Sequence, residues 1–189
     1  MKGYENVKVD TKVRIIRAFW ELYKTTKIEK ITVKSITDAC GIYRTTFYLH
    51  FADVYAVLEH IEMILLKEIK DITLENENPN WSEREKFMND LLVCFTDNFD
   101  YLRVLLDGKH NPGFANRYKT EMIHRICAVH HIDIRSIDEE MRTVAFKSLE
   151  AIIDLFLKLG DSPNISFERL MYIIDGYMKN GILHTLSAV

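Results

Sequence analysis

Residues 31–51, ITVKSITDACGIYRTTFYLHF, concentrate side chains that can form directional hydrogen bonds. Arg44 can pair bidentately with a guanine edge or hold a phosphate, and Thr45 and Thr46 offer hydroxyls to bases or phosphates and methyl groups to thymine. They follow Tyr43 at the start of a short predicted helix, whose N-terminal N–H groups favour a nearby phosphate. These residue types indicate contact with a nucleic acid duplex. The alternative is a polar helix face that meets only solvent.

Three predicted helices must position those side chains. Apolar residues at helical spacing predict a first helix from Asp10, and Thr32 can cap a second helix over residues 33–40. Gly41 then adopts a left-handed conformation at little cost and leads into a third helix, residues 43–49. Two short helices joined by a tight turn that contains Gly form a helix-turn-helix. The core predicted to hold them consists of Ile16, Phe19, Trp20, Ile36, Ile42, Phe47 and Phe51.

The distribution of charge supports contact with nucleic acid more than the total does. The net charge of −3 argues against it, but residues 1–51 carry 10 Lys and Arg against 5 Asp and Glu. The remaining 138 residues carry 15 against 23. This asymmetry favours a basic head on an acidic body, although charges also cluster by chance on solvated faces. We therefore predict a DNA-binding domain at residues 1–52 and a separate helical domain at residues 53–189.

The predicted fold class is all-α, with about nine helices. The chain has only 7 Gly and 3 Pro, so few residues break a helix. Beyond the head, apolar periodicity predicts helices over residues 53–75, 83–106 and 114–130, and then from Asp138 and after Ser166. No segment alternates as a strand does.

Several classes of function are not expected. No apolar run reaches the roughly 18 residues that span a bilayer, and MKGYENVKVD lacks the apolar region of a secretory signal; we expect a cytoplasmic protein. We find no Gly-rich phosphate loop and no nucleophile motif, so we expect no enzyme and no cofactor. Three widely spaced cysteines predict neither a disulfide framework nor a zinc site; Cys40 and Cys94 fit small buried hydrophobes. A second cluster is compatible with a metal site but favours partly exposed histidines: His124, His130, His131 and Asp133.

Residues 11–58 resemble the N-terminal domain of TetR-family transcriptional repressors. The residues that carry the resemblance are Thr32, Val33, Ile36, Ala39, Gly41, Ile42, Thr46, Tyr48, His50 and Phe51. The resemblance implies phosphate contacts from Tyr48 and His50, which fix register without reading sequence. Thr32 and Lys34, at the start of the bracing helix, are similarly placed. The DNA-binding residues expected are therefore Thr32, Lys34, Tyr43, Arg44, Thr45, Thr46, Tyr48 and His50.

The sequence departs from the family pattern at three places. Tyr43 stands where the family usually has Ser, Thr45 where it has a small Gly, and Val54-Tyr55 where it tends to have Lys-Glu. That Lys typically touches a phosphate, so one backbone anchor is missing.

The leading hypothesis is a repressor that a small-molecule inducer releases from a palindromic operator. The alternative is a TetR-like protein that has lost operator binding and acts through protein partners.

The resemblance also implies that residues 53–189 are a helical regulatory and dimerisation domain, which forms a homodimer and holds a pocket for a small-molecule effector. For every residue concerned, ordinary core packing is the competing interpretation. The last two helices carry apolar stripes suited to pairing, through Leu149, Ile152, Ile153, Phe156, Leu170, Ile173, Ile174 and Tyr177. The middle helices supply the candidate pocket residues Met63, Leu66, Phe87, Phe95, Phe99, Leu102, Phe114, Tyr118 and Met122.

Overall fold

The computed structural model describes residues 10–72, 80–107, 111–129, 133, 135, 138–159, 169 and 176. Within them the chain forms eight α-helices and no strand, which confirms the all-α prediction. Of the helix expected after Ser166, the structure describes only residues 169 and 176, and both are helical. The chain divides into two compact units, a first unit of Met1–Leu65 and a second unit of Leu66–Val189. The division at residue 52, which concerns function, stays a prediction.

The first unit begins with three helices and enters a fourth. Helix α1 spans Thr11–Tyr23, α2 spans Val33–Cys40 and α3 spans Arg44–Tyr48, with a 3₁₀ turn at Ile28–Lys30 between α1 and α2. The long helix α4, Val54–Asp71, runs on into the second unit. Side-chain caps fix the starts of α1 and α2, and the cap at Thr32 was predicted. The Asp10 carboxylate accepts from the N–H of Lys12 at 2.9 Å, and Thr32 forms a capping box with Ser35.

The core of the first unit differs from the prediction on α1. Ile15 and Phe19 are fully buried and Tyr23 is nearly so, which defines a face with a spacing of four residues. Ile16 and Ile42 are only half-buried, so their assignment to the core is wrong. Ile15 and Ile16 are adjacent apolar residues about 100° apart around α1, so the sequence did not show which of them faces the core.

The second unit contains the rest of α4 and four further helices. These are α5 (Trp81–Asp97), α6 (Phe99–Leu105), α7 (Pro112–Val129) and α8 (Glu139–Leu159). Asn80, and not Ser82, caps α5 through a capping box with Glu83. No described helix combines the length and apolar character needed to cross a membrane.

The helix predicted over residues 83–106 is broken in two at Asn98. Its backbone leaves the helical region, at φ −103° and ψ 12°. The side-chain amide donates to Glu68 Oε2 at 2.6 Å and to the carbonyl of Cys94 at 2.9 Å. Because the partner at Glu68 is distant in sequence, periodicity alone did not indicate the break.

Candidate nucleic-acid interface

The turn between α2 and α3 depends on Gly41, which has φ 64° and ψ 44°. A residue with a Cβ is strained in this left-handed conformation, whereas Gly is not. The N–H groups of Gly41 and Ile42 both donate to the carbonyl of Thr37, and together they close the end of α2. Tyr43 then precedes α3 with extended backbone and no side-chain capping bond. Backbone geometry therefore sets the direction of α3.

A single buried side chain anchors α3. Phe47 is fully buried and is the one buried residue of this helix. Its ring lies edge-on to Tyr48, with centroids 5.6 Å apart, and 6.1 Å from the ring of Phe51. The other side chains of α3 are thus left to solvent or to a ligand.

The predicted DNA-binding residues lie on the surface around this anchor. The side chains of Tyr43 and Tyr48 are 83% and 57% exposed. Thr46 is half-buried and the remaining predicted residues are exposed, namely Thr32, Lys34, Arg44, Thr45 and His50. Leu49, an apolar residue at the end of α3 that was not predicted to belong to this surface, is 82% exposed. Leu49 lies close in sequence to the inward-facing Phe47, so the sequence pattern was equally consistent with a buried Leu49.

Two basic side chains of this surface are unpaired in the described part of the chain. Lys34 on α2 and Arg44 on α3 have no acidic partner there. Thr32 uses its oxygen to accept from the N–H of Ser35 at 3.1 Å, which leaves its O–H to donate. The surface thus offers two positive charges and several hydroxyl donors, which suits an anionic ligand.

Two other cations of the first unit, Lys12 and Arg14, already have partners. Lys12 Nζ lies 5.5 Å from the centroid of Phe51, as a cation–π contact. The guanidinium of Arg14 donates to the carbonyl of Cys40 at the end of α2. Arg14 was missed because it is 26 residues from Cys40. Cys40 is half-buried rather than buried, and burial raises the pKa of its thiol.

The predicted pocket residues fall into three groups. Most are buried in the second unit: Phe87, Phe95, Leu102, Phe114, Tyr118 and Met122. Leu66 and Phe99 are half-buried. Met63 does not join them, since it lies in the first unit with 57% of its surface exposed. Close ring contacts, such as the 5.7 Å between Phe114 and Tyr118, are those of a packed core. A role in ligand binding stays a prediction for all nine residues.

A groove of about 400 Å³ lies instead between α7 and α8. No residue of the predicted pocket lines it. Its walls are built by polar and apolar side chains at helical spacing on two consecutive helices: Asn116, Lys119, Thr120, Ile123, Arg142, Thr143, Phe146, Lys147 and Glu150. That spacing was visible in the sequence, but polar residues at such positions also describe an ordinary solvated face.

The predicted dimer contacts are mostly beyond what the structure describes. Ile152 is half-buried and Ile153 is 5% exposed. The side chains of Leu149 and Phe156, and the residues Leu170, Ile173, Ile174 and Tyr177, lie outside the described residues. The homodimer stays a prediction.

The histidine cluster is described only in part. His124 is exposed, and its ring lies edge-on to Phe146 with centroids 6.2 Å apart. His130 and His131 lie outside the described residues. Among the described residues, no three His, Cys, Asp or Glu side chains are grouped to hold a metal ion.

The arrangement of these helices is similar to that of a solved structure. The solved structure of "Flavonoid-responsive Regulator FrrA" matches 92% of this chain and 95% of its own, with a TM-score of 0.50 and 17% sequence identity. FrrA is a TetR-family regulator, so the fold implied by the sequence resemblance is confirmed. At this identity the match shows the fold alone. No protein-family model and no curated protein sequence matches the chain.

Proposed function

We propose that the protein is a TetR-like transcriptional regulator that binds double-stranded DNA through the exposed face of α3. The observation that carries this proposal is the contrast in burial between the side chains of α3 and its cap. Phe47 alone is buried, while Tyr43, Arg44, Thr45 and Tyr48 are exposed beside it. A rigid short helix with exposed donors is what reading the major groove requires.

Seven of the predicted DNA-binding side chains have a proposed task. Arg44 reads a guanine edge, and Thr45 and Thr46 contact bases or phosphates. Tyr48, His50, Thr32 and Lys34 hold the phosphate backbone and fix the register of the helix. The Lys that the family tends to place after the recognition helix as a phosphate anchor is replaced here by Val54, which is apolar and 7% exposed. Lys34, unpaired among the described residues, carries that electrostatic contact.

The regulatory part of the proposal extends the same likeness. FrrA is named as flavonoid-responsive, which supports control of this chain by a small-molecule effector. A homodimer would hold two α3 helices about 34–36 Å apart, the spacing of adjacent half-sites on a palindromic operator. Effector binding would favour a separation that fits the operator poorly and release the repressor, by a coupling of about 1–3 kcal/mol.

A second function is favoured by two exposed apolar side chains. Leu49 is 82% exposed and Tyr55 is 52% exposed, and exposed apolar residues occur at protein interfaces. In this alternative the protein has lost operator binding and acts through protein partners.

Titration of the DNA upstream of the protein's own gene separates the two functions. We expect a fluorescently labelled upstream fragment to bind more tightly than a scrambled fragment of equal length. Affinity for both should fall steeply between low and physiological salt, because basic residues release counterions from the phosphates. Absence of binding to either fragment at low salt would favour the partner-binding function.

A further inference from the structure

The groove between α7 and α8 has the size and lining of a small-molecule site. Its volume of about 400 Å³ falls within the roughly 300–1,000 Å³ of ligand pockets. Ile123, which is 2% exposed, and the half-buried ring of Phe146 supply apolar surface. Thr120, Thr143 and Asn116 supply groups that can orient a ligand by hydrogen bonds. The groove thus combines an apolar wall with a few polar groups.

The charges around the groove are unevenly satisfied. Lys119 Nζ donates to Asp154 Oδ1 at 2.9 Å and lies 3.5 Å from Glu150 Oε1. Lys147 Nζ donates to Glu150 Oε2 at 2.8 Å. These four side chains therefore neutralise one another. Both acids are occupied by lysines of the same network, so neither is free to bind a cationic ligand.

Arg142 is the exception in this group. Its guanidinium lines the groove and is half-buried, and no acid among the described residues pairs with it. A partly desolvated guanidinium gains most from an anion that accepts two parallel hydrogen bonds, such as a carboxylate. A neutral apolar ligand would cover the charge without compensating it, which is unfavourable.

We propose that the groove binds a small organic anion with an aromatic body, whose carboxylate pairs with Arg142 while the body packs on Phe146 and Ile123. This inference rests on the proposed function, because it assigns a chemical class and a site to the effector. It also moves the effector site away from the buried aromatic residues that the sequence suggested. Those residues form close ring contacts with one another, whereas the groove is open to solvent.

Calorimetric titration of the full chain with 2-naphthoate, and with its neutral analogue 2-naphthamide, tests the assignment. We expect 2-naphthoate to bind saturably and at least roughly tenfold more tightly than the amide, because only the acid supplies the negatively charged partner that Arg142 lacks among the described residues. Absence of saturable binding of the acid up to about 1 mM, or equal binding of both compounds, would overturn the proposal.

Two substitutions on α8 locate the site. Arg142→Gln should weaken 2-naphthoate roughly 10- to 100-fold and leave 2-naphthamide nearly unchanged, and Arg142→Lys should restore part of the loss because it restores the charge without the bidentate geometry. The matched control is Lys158→Gln. It removes the same charge from an exposed position about 24 Å along the helix, and it should bind like the wild type. Unchanged 2-naphthoate affinity in Arg142→Gln would refute the site.

The DNA titration keeps this test separate from the proposed function. Arg142→Gln should bind the upstream fragment as the wild type does in the absence of any small molecule, which also shows that the variant is folded. With the wild type, 2-naphthoate should weaken binding to that fragment. A wild type that binds 2-naphthoate but not the upstream fragment would refute the proposed function and leave the assignment of a ligand site to the groove intact. Unaltered DNA affinity at saturating 2-naphthoate would refute the assignment of the groove to the effector.

Discussion

The α2–α3 pair of the first unit and the α7–α8 pair of the second unit both carry basic side chains, but they use them differently. Between α7 and α8 the buried Lys119 joins the helices through Glu150 and Asp154. On the α2–α3 surface, Lys34 and Arg44 meet no acid among the described residues. Lys119 and Lys147 are paired and therefore not available to a ligand. Lys34 and Arg44, like Arg142 of the groove, are unpaired among the described residues and are available to one.

The two pairs also differ in what fixes their geometry. Phe47 and the left-handed Gly41 hold α3 in place by packing and backbone conformation. The α7–α8 pair relies in part on charge, and charge responds to pH and salt. Substitutions that remove one device at a time test this difference, and they are ordered below by the size of the expected effect.

Removal of the apolar anchor should have the largest effect on stability. Phe47→Ala deletes a fully buried aromatic ring and should lower the free energy of unfolding by about 3–5 kcal/mol. Urea denaturation followed by circular dichroism measures it. The control is Tyr48→Ala, since that side chain is 57% exposed, and a comparable loss there would show that Phe47 is not the principal anchor.

The ionic link between α7 and α8 should matter less. Asp154→Asn removes the carboxylate 2.9 Å from Lys119 Nζ and should destabilise the chain by about 1–3 kcal/mol, because Lys119 is only 9% exposed and loses a charged partner. Asp71→Asn is the matched control, as it breaks an exposed pair with Lys67 worth about 0–1 kcal/mol. Equal losses in urea denaturation would mean that burial of Lys119 adds nothing.

The turn at Gly41 should respond to a single added methyl group. Gly41→Ala places a Cβ at φ 64°, with Arg14 Nη2 at 4.0 Å as its nearest neighbour. The cost is therefore conformational rather than steric, about 1–2 kcal/mol. Gly113→Ala makes the same change inside α7 at ordinary contact distance and should be neutral or stabilising by up to about 1 kcal/mol. Thermal melting that shifts both variants in the same direction would contradict this reading.

Acid should weaken the α7–α8 pair in a small and specific way. The hydrogen bond from Lys147 holds the pKa of Glu150 below its ordinary value of 4.5, with burial opposing the shift and the charge of Lys119 adding to it. The carboxylate therefore stabilises the fold above pH 4.5, and this contribution is lost as the pH falls through the folded-state pKa. The difference in unfolding free energy between wild type and Glu150→Gln should shrink as the pH is lowered. A difference independent of pH would exclude this linkage.

The features that the sequence predicted correctly are local. The capping role of Thr32 and the turn at Gly41 follow from residues only a few positions apart. Other features depend on contacts between residues that are distant in sequence. The partner of Asn98 is 30 residues away, and those of Lys119 are 31 and 35 residues away. A stripe of residues at helical spacing does not say which helix it will face, so the groove and the break at Asn98 needed the structure.

The central claim is that the exposed face of α3 reads DNA, and one titration tests it most directly. Fluorescence anisotropy compares the upstream fragment with a scrambled fragment for the wild type, Arg44→Ala and Tyr48→Phe. The account predicts that Arg44→Ala reduces the preference between fragments by about 1–3 kcal/mol, while Tyr48→Phe weakens both fragments alike. A wild type that binds neither fragment, or an Arg44→Ala variant with unchanged affinity for both, would contradict it.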